Sequence, residues 1–113
     1  MIYIYHNPRC SKSRQGLALL TDSGKKFEVI NYLEDLLTVK QLEALITKLN
    51  INPIDLIRKN EVIWKSNYKG KELSDKDIIN AMVANPKLIE RPIVENGTKA
   101  VLGRPTETIL SII

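Results

Sequence analysis

The order of apolar patterns at the start of the chain restricts the fold more than any other feature. Met1-Ile2-Tyr3-Ile4 is a short apolar and aromatic run with the character of a buried first strand. Gln15-Gly16-Leu17-Ala18-Leu19-Leu20 reads as a helix, and Asp22-Ser23-Gly24-Lys25-Lys26 stops it, with Gly24 suited to the left-handed position beyond a helix C-terminus. Phe27-Glu28-Val29-Ile30-Asn31-Tyr32 alternates and reads as a second strand. A crossover of this length favours parallel pairing and a right-handed connection.

The middle of the chain is helical. Thr38 can cap a helix whose apolar residues Leu42, Leu45, Ile46 and Leu49 recur at one-face spacing, and Asn50 ends it. Asn52-Pro53 opens a short helix reaching Arg58-Lys59-Asn60. Trp64 to Gly70 reads as a loop. Ser74-Asp75-Lys76-Asp77 resembles a capping box with Asp as the returning acid, and Ile78, Ile79, Met82 and Val83 give that helix its buried face. Asn85-Pro86 opens one more turn of helix through Leu88-Ile89.

Strands then return. Pro92-Ile93-Val94-Glu95 and Lys99-Ala100-Val101-Leu102 flank Asn96-Gly97, a strong hairpin signal. A final helix is expected with Pro105 at its first position and Ile109, Leu110, Ile112 and Ile113 as its apolar face. A β-α-β unit and a β-β-α unit on one mixed four-stranded sheet is the thioredoxin-like α/β arrangement. The chain is expected to be a single thioredoxin-like domain, residues 1–113, with a helical insertion at about residues 36–90.

At 113 residues with 43% hydrophobic content, the chain can build one core without metal or disulfides. Its single Cys excludes an internal disulfide and fits a reducing compartment. One Cys and one His cannot supply a four-ligand zinc site. No stretch has the length of a membrane span, and no basic region precedes a signal-peptide-like apolar run. A cytoplasmic protein is expected. The net charge of +4 comes from scattered lysines without a block of like charge, which argues against nucleic acid as a partner.

The chemistry concentrates at Tyr5-His6-Asn7-Pro8-Arg9-Cys10-Ser11-Lys12-Ser13-Arg14, where the first strand hands over to the first helix. A lone Cys is ordinarily a small buried hydrophobe. This one sits at a helix N-terminus, where unpartnered amides and the positive dipole end stabilise a thiolate or a bound oxyanion. Arg9, Lys12 and Arg14 add positive charge, and His6 lies four residues away.

Several segments, taken in order, resemble the arsenate reductase (ArsC) family of thioredoxin-like proteins, of the glutaredoxin-dependent type, and its YfgD-like branch. They are His6-Asn7-Pro8-Arg9-Cys10, Ser13-Arg14, Arg58 within Asp55-Leu56-Ile57-Arg58-Lys59-Asn60-Glu61, Asn85-Pro86-Lys87-Leu88-Ile89-Glu90-Arg91-Pro92-Ile93, and Gly103-Arg104-Pro105. The resemblance spans nearly the whole chain. It implies that Cys10 is the nucleophile attacking arsenic and that Arg58, Arg91 and Arg104 converge on arsenate or a similar oxyanion. His6 is implied to keep Cys10 ionised, and the Arg91-Pro92 bond is implied to be cis. Ser11, Lys12, Ser13 and Arg14 complete the expected anion site. One departure stands out. Better-characterised arsenate reductases of this type carry Gly-Thr after the cysteine, where this chain has Ser11-Lys12. Lys12 could add charge to the site or block it.

Reducing arsenic(V) to arsenic(III) needs two electrons, and Ser13 stands where a Cys-x-x-Cys motif would place a second thiol. An outside thiol must complete the reaction. The resemblance names glutathione as co-substrate and glutaredoxin as the partner that regenerates Cys10, with no bound cofactor and a monomer expected. His6 could act protonated, or could orient the site while neutral. Phosphatase-like arsenate reductases need Arg six residues after Cys, and position 16 is Gly. Two alternatives stay open: a Spx-like regulator binding RNA polymerase, and a glutathione-dependent thiol oxidoreductase that would use Cys10 without the arginines.

Overall fold

Strand β1 (Ile2–Tyr5) can lie inside a sheet because Ile2, Ile4 and Tyr5 are buried and Tyr3 is half-buried. In the computed structural model, which describes residues 1–113, it pairs in parallel with β2 (Phe27–Ile30), placing Ile4 opposite Val29. On its other side it pairs antiparallel with β3 (Ile93–Asn96), placing Ile4 opposite Val94. Strand β4 (Lys99–Leu102) continues antiparallel beyond β3, giving the order β2-β1-β3-β4. Helix α1 (Ser11–Asp22) joins the parallel pair. This is the thioredoxin-like mixed sheet.

Local chemistry sets the element ends. Helix α1 starts at Ser11, four residues before the apolar run, so the polar segment Ser11–Arg14 is its first turn. It stops where Gly24 takes φ +72°. Strand β2 ends at Ile30, two residues early, because Asn31 turns the chain. Its side-chain Oδ1 accepts the Leu33 N–H, and its carbonyl accepts the N–H groups of Glu34 and Asp35. As an edge strand it leaves Glu28 and Val29 exposed, so no alternating burial develops. In the hairpin, Asn96 pairs with Lys99 and is the last strand residue. The turn is Gly97-Thr98, with Gly97 at φ +63°, a position that favours glycine. The Asn96 side chain instead donates to the Ile112 carbonyl at 2.6 Å.

The chain divides into two compact units, Met1–Asp35 with Arg91–Ile113, and Leu36–Glu90. In the first, Ile2, Ile4, Leu20, Val94 and Ile109 form the core, flanked by Leu17, Phe27, Val101 and Ile112. The last helical segment is a 3₁₀ stretch, Thr106–Ser111. Pro105 precedes it in an extended conformation instead of opening it, and Leu110 faces solvent.

In the second unit, α2 (Val39–Leu49) carries a complete capping box: Gln41 N–H to Thr38 Oγ1 at 3.1 Å, Thr38 N–H to Gln41 Oε1 at 2.9 Å. Leu42, Leu45 and Ile46 are its buried face, and Asn50 ends it at φ 56°. The Asn52-Pro53 helix is a single 3₁₀ turn, Pro53–Leu56. It stops early because Ile57 bridges Ile89, with Arg58 N–H bonded to the Leu88 carbonyl and Glu90 N–H to that of Leu56. Helix α3 (Val62–Asn67) lies where a loop was expected from Trp64 onward. Trp64 within it is buried and stacks on Tyr68, four residues on at the helix C-cap, with ring centroids 5.6 Å apart. Helix α4 (Asp75–Ala84) has the Ser74–Asp77 box at 3.1 and 3.0 Å and buries Ile78, Ile79, Ala81 and Met82, with Val83 only half-buried. A turn at Pro86–Leu88 follows. No helix is long and apolar enough to cross a membrane.

Candidate active site

Cys10 is the N-cap of α1, in extended backbone at φ −99° and ψ 123°. The first intrahelical bond runs from Arg14 N–H to the Cys10 carbonyl, so the amides before it are not used by the helix. Burial pushes the Cys10 thiol up. Against that, the Ser13 N–H, the hydrogen bond and positive charge of Arg91, and the Lys12 N–H all favour the thiolate, and together they hold the thiol below its ordinary value.

The two arginines at the far end of the chain are linked to each other. Arg91 is buried, and its carbonyl accepts the Arg104 Nε–H at 2.7 Å. Arg104 Nη2 then lies 3.7 Å from Cys10 Sγ. The Nε of Arg91 is buried with no hydrogen-bond partner. A charged donor in that condition is unusual, because a buried polar group without a partner is destabilising.

His6 prolongs the β1–β2 ladder, its N–H bonded to the Ile30 carbonyl at 2.8 Å. Its Nδ1 lies 2.7 Å from Ser13 Oγ, which also accepts the Asn7 N–H at 3.0 Å. Burial lowers His6, the Ser13 hydrogen bond raises it and the Arg14 charge lowers it, leaving it below its ordinary value. The neutral imidazole is therefore favoured, and its tautomer sets which of Nδ1 and the Ser13 hydroxyl donates. His6 is not among the groups that shift Cys10; it bonds the side chain of Ser13, whose backbone N–H favours the Cys10 thiolate.

This geometry divides the expected anion-site residues. The Ser13 side chain is fully buried and engaged with His6 and Asn7, so its backbone alone is turned to Cys10. Ser11 and Lys12 have exposed side chains, and the backbone N–H of Lys12 supplies its contact. Arg14 donates through Nη1 to the Pro8 carbonyl at 3.0 Å and holds the loop. Arg58, in the Leu36–Glu90 unit, is half-buried between two carboxylates, 3.3 Å from Glu61 and 3.4 Å from Glu90.

Pro92 follows Arg91 through a cis bond, and Arg104–Pro105 is a second cis bond. The Pro92 ring is held by two glycines. A Cβ on Gly16 would stand 2.9 Å from Pro92 Cγ, and one on Gly103 would stand 2.8 Å from it. Sequence reasoning gave neither glycine a packing role and did not anticipate the second cis bond. For Gly16 a signal existed, since a glycine inside a helical pattern often marks close packing.

The ArsC family profile matches residues 5–112. The uncharacterized protein YfgD of Escherichia coli K12 is 46% identical over 99% of this chain and 96% of its own length. An arsenate reductase of Haemophilus influenzae is 41% identical over 99% of this chain and 98% of its own. Among solved structures, an arsenate reductase from Vibrio cholerae is 44% identical and superposes with a TM-score of 0.94, covering 99% of this chain and 97% of that one. The continuous agreement of sequence and fold, from the first strand to the last helical turn, makes this chain a member of the ArsC family.

Proposed function

We propose that this protein is an arsenate reductase in which Cys10 is the nucleophile and glutathione and glutaredoxin supply the remaining reducing equivalents. The observation that carries the reading is the meeting of a lowered thiol with two arginines, one of them buried with an unused Nε–H. Arsenate and a thiolate are both negative and repel. Helix amides and guanidinium groups at the meeting point offset that repulsion, and a planar guanidinium matches oxyanion geometry better than an ammonium does. Arg58 is proposed as a further oxyanion ligand on the family resemblance alone.

The Cys10 thiolate attacks arsenic, an As–O bond breaks, and the oxygen leaves as water after protonation. The product is a thiol-linked arsenic(V) adduct. A glutathione thiolate then attacks the Cys10 sulfur. An S–S bond forms, the S–As bond breaks, and its electron pair stays with arsenic, which departs as arsenite. The two sulfurs have lost the two electrons that arsenic gained. Glutaredoxin reduces the Cys10–glutathione disulfide by thiol–disulfide exchange. This cycle uses glutathione as a co-substrate and needs no resident cofactor.

The test is arsenite production from arsenate by purified protein with glutathione and glutaredoxin. Cys10→Ser is expected to abolish turnover and Arg91→Ala to lower it by about a hundredfold, the scale for losing one preorganised charge partner of the reacting group. Folded wild type that alkylates rapidly at neutral pH yet yields no arsenite overturns the arsenate reading. It would leave a thiol oxidoreductase.

A further inference from the structure

A groove walled on one side by Asn7, Pro8 and Arg9, the three residues that lead into Cys10, carries opposite charges that do not meet. It is lined by Asn7, Pro8, Arg9, Asn31, Leu33 and Glu34. Arg9 directly precedes the cysteine in the chain. Arg9 and Glu34 are both exposed, and neither forms an ion pair, though both face the same groove. The amide groups add donors. Asn7 Oδ1 accepts the Arg9 N–H at 3.0 Å and Asn31 Oδ1 accepts the Leu33 N–H at 3.2 Å, so each carboxamide is oriented by its oxygen and keeps its N–H₂ free. The walls are held from behind. Arg14 ties down the Pro8 carbonyl, and Asn31 ties down the turn carrying Glu34 through two backbone bonds.

We propose that this groove binds the peptide part of the thiol co-substrate: a small zwitterionic peptide carrying an ammonium, a carboxylate and amide carbonyls. Glu34 takes the ammonium, Arg9 takes a carboxylate, and the Asn7 and Asn31 amides donate to peptide carbonyls. This rests on the reading above that an outside thiol completes the cycle at Cys10. The chain itself requires such a thiol, since Cys10 is its only cysteine. The match is one of charge order. An anionic ligand alone would leave Glu34 repelling it, and a cationic one would meet Arg9. Two opposite charges kept apart fit a ligand that carries both.

The charges of the groove are separate from those that tune the thiol. Ser13, Arg91 and Lys12 lower Cys10, and Arg9 and Glu34 are not among the groups that shift it. Peptide recognition and thiol reactivity can therefore be measured apart. Exchange of Cys10 with oxidised glutathione forms one S–S bond and breaks another, expelling one glutathione thiolate. Exchange with 2-hydroxyethyl disulfide is the same chemistry without peptide charges. The readout is the ratio of the two rate constants. Loss of one exposed charge contact in Arg9→Gln or Glu34→Gln is expected to lower that ratio by about threefold, and loss of both by about tenfold. A ratio unchanged in the double variant overturns the proposal.

A second measurement keeps the test independent of exchange chemistry. Non-reactive S-methylglutathione is titrated into isotopically labelled Cys10→Ser protein. Amide shifts are expected at Asn7, Arg9 and Asn31 to Glu34, and shifts confined elsewhere, or none, overturn the site. Arsenite assays separate this from the parent reading. Arsenate turnover with a normal glutathione KM in the double variant sinks the groove and spares the reductase. A falling disulfide ratio without arsenate turnover does the reverse.

Discussion

Gly16→Ala is a sharp test of how the sheet and helix position the site, because packing and propensity predict opposite signs. In the middle of a helix, Gly→Ala normally stabilises by about 1 kcal/mol. Here the added methyl would stand 2.9 Å from Pro92 Cγ and 3.2 Å from Ile109 Cδ1. Ordinary carbon contacts lie at roughly 3.5–4.0 Å, so the nearer contact must open by roughly 0.6 Å. Pro92 cannot retreat freely, since its Cγ is also in close reach of Gly103, whose N–H bonds the Pro92 carbonyl. Ile109 is fully buried and has little room. Overpacking of this kind costs about 1–3 kcal/mol, and the double restraint favours the upper part of that range. After subtracting the propensity gain, the expected net loss is about 1–2 kcal/mol, a fall in Tm of about 4–8 °C.

Urea and thermal unfolding provide the assay, with Ala18→Gly on the exposed face of the same helix as the internal scale. That variant should lose about 1 kcal/mol by propensity alone. A shift of Pro92 also displaces Arg91, so Gly16→Ala should slow Cys10 alkylation at neutral pH. A Gly16→Ala protein as stable as wild type, or more so, would falsify the packing argument.

Ser13→Ala removes the acceptor of the Asn7 N–H and the partner of His6, so it should cost about 1–3 kcal/mol, read by urea unfolding. His6 has a folded pKa below its unfolded value, so the unfolded chain binds more protons in that window. Its stabilising contribution is complete above about pH 6.5 and is lost as pH falls through the folded value. His6→Asn should therefore flatten the acidic limb of the urea midpoint plotted against pH. The Cys10 thiol is also lowered, so alkylation rate against pH should turn over below the value of about 8.5 typical of a free cysteine. Arg91→Ala should move that midpoint upward. An unmoved midpoint would mean that the helix amides alone activate the thiol.

What was legible in the sequence was what local chemistry decides. The Thr38 and Ser74 caps, the Asn50 stop and the β4 boundaries depend on residues within a turn of one another. Cys10 was placed at the helix entry because apolar spacing shows where a strand ends and a helix begins. What could not be read depends on distant partners. Helix α3 is six residues long, too short for an apolar period, and only the fold shows that Trp64 is buried. Leu110 fits an apolar face in an α-helix, but the 3₁₀ geometry of Thr106–Ser111 turns it to solvent. Ser13 was expected in the anion site, but that its hydroxyl bonds His6 and the Asn7 N–H depends on how the loop folds and is not visible in spacing.

The departure at Ser11-Lys12 bears on the site less than the sequence suggests. Position 12 acts on Cys10 through a backbone N–H, and every residue type except proline supplies that group. The Lys12 ammonium lies at the surface, where solvent and salt weaken its field. The larger share of thiolate stabilisation comes from Ser13, fixed by a buried His6 and Asn7, and from Arg91, fixed beside Pro92 between two glycines. These supports are buried within the Met1–Asp35 and Arg91–Ile113 unit, whereas the side chains at positions 11 and 12 are exposed. Thiol activation is thus a property of how helix and sheet pack. Changes at positions 11 and 12 can alter which anion approaches while the nucleophile itself stays intact.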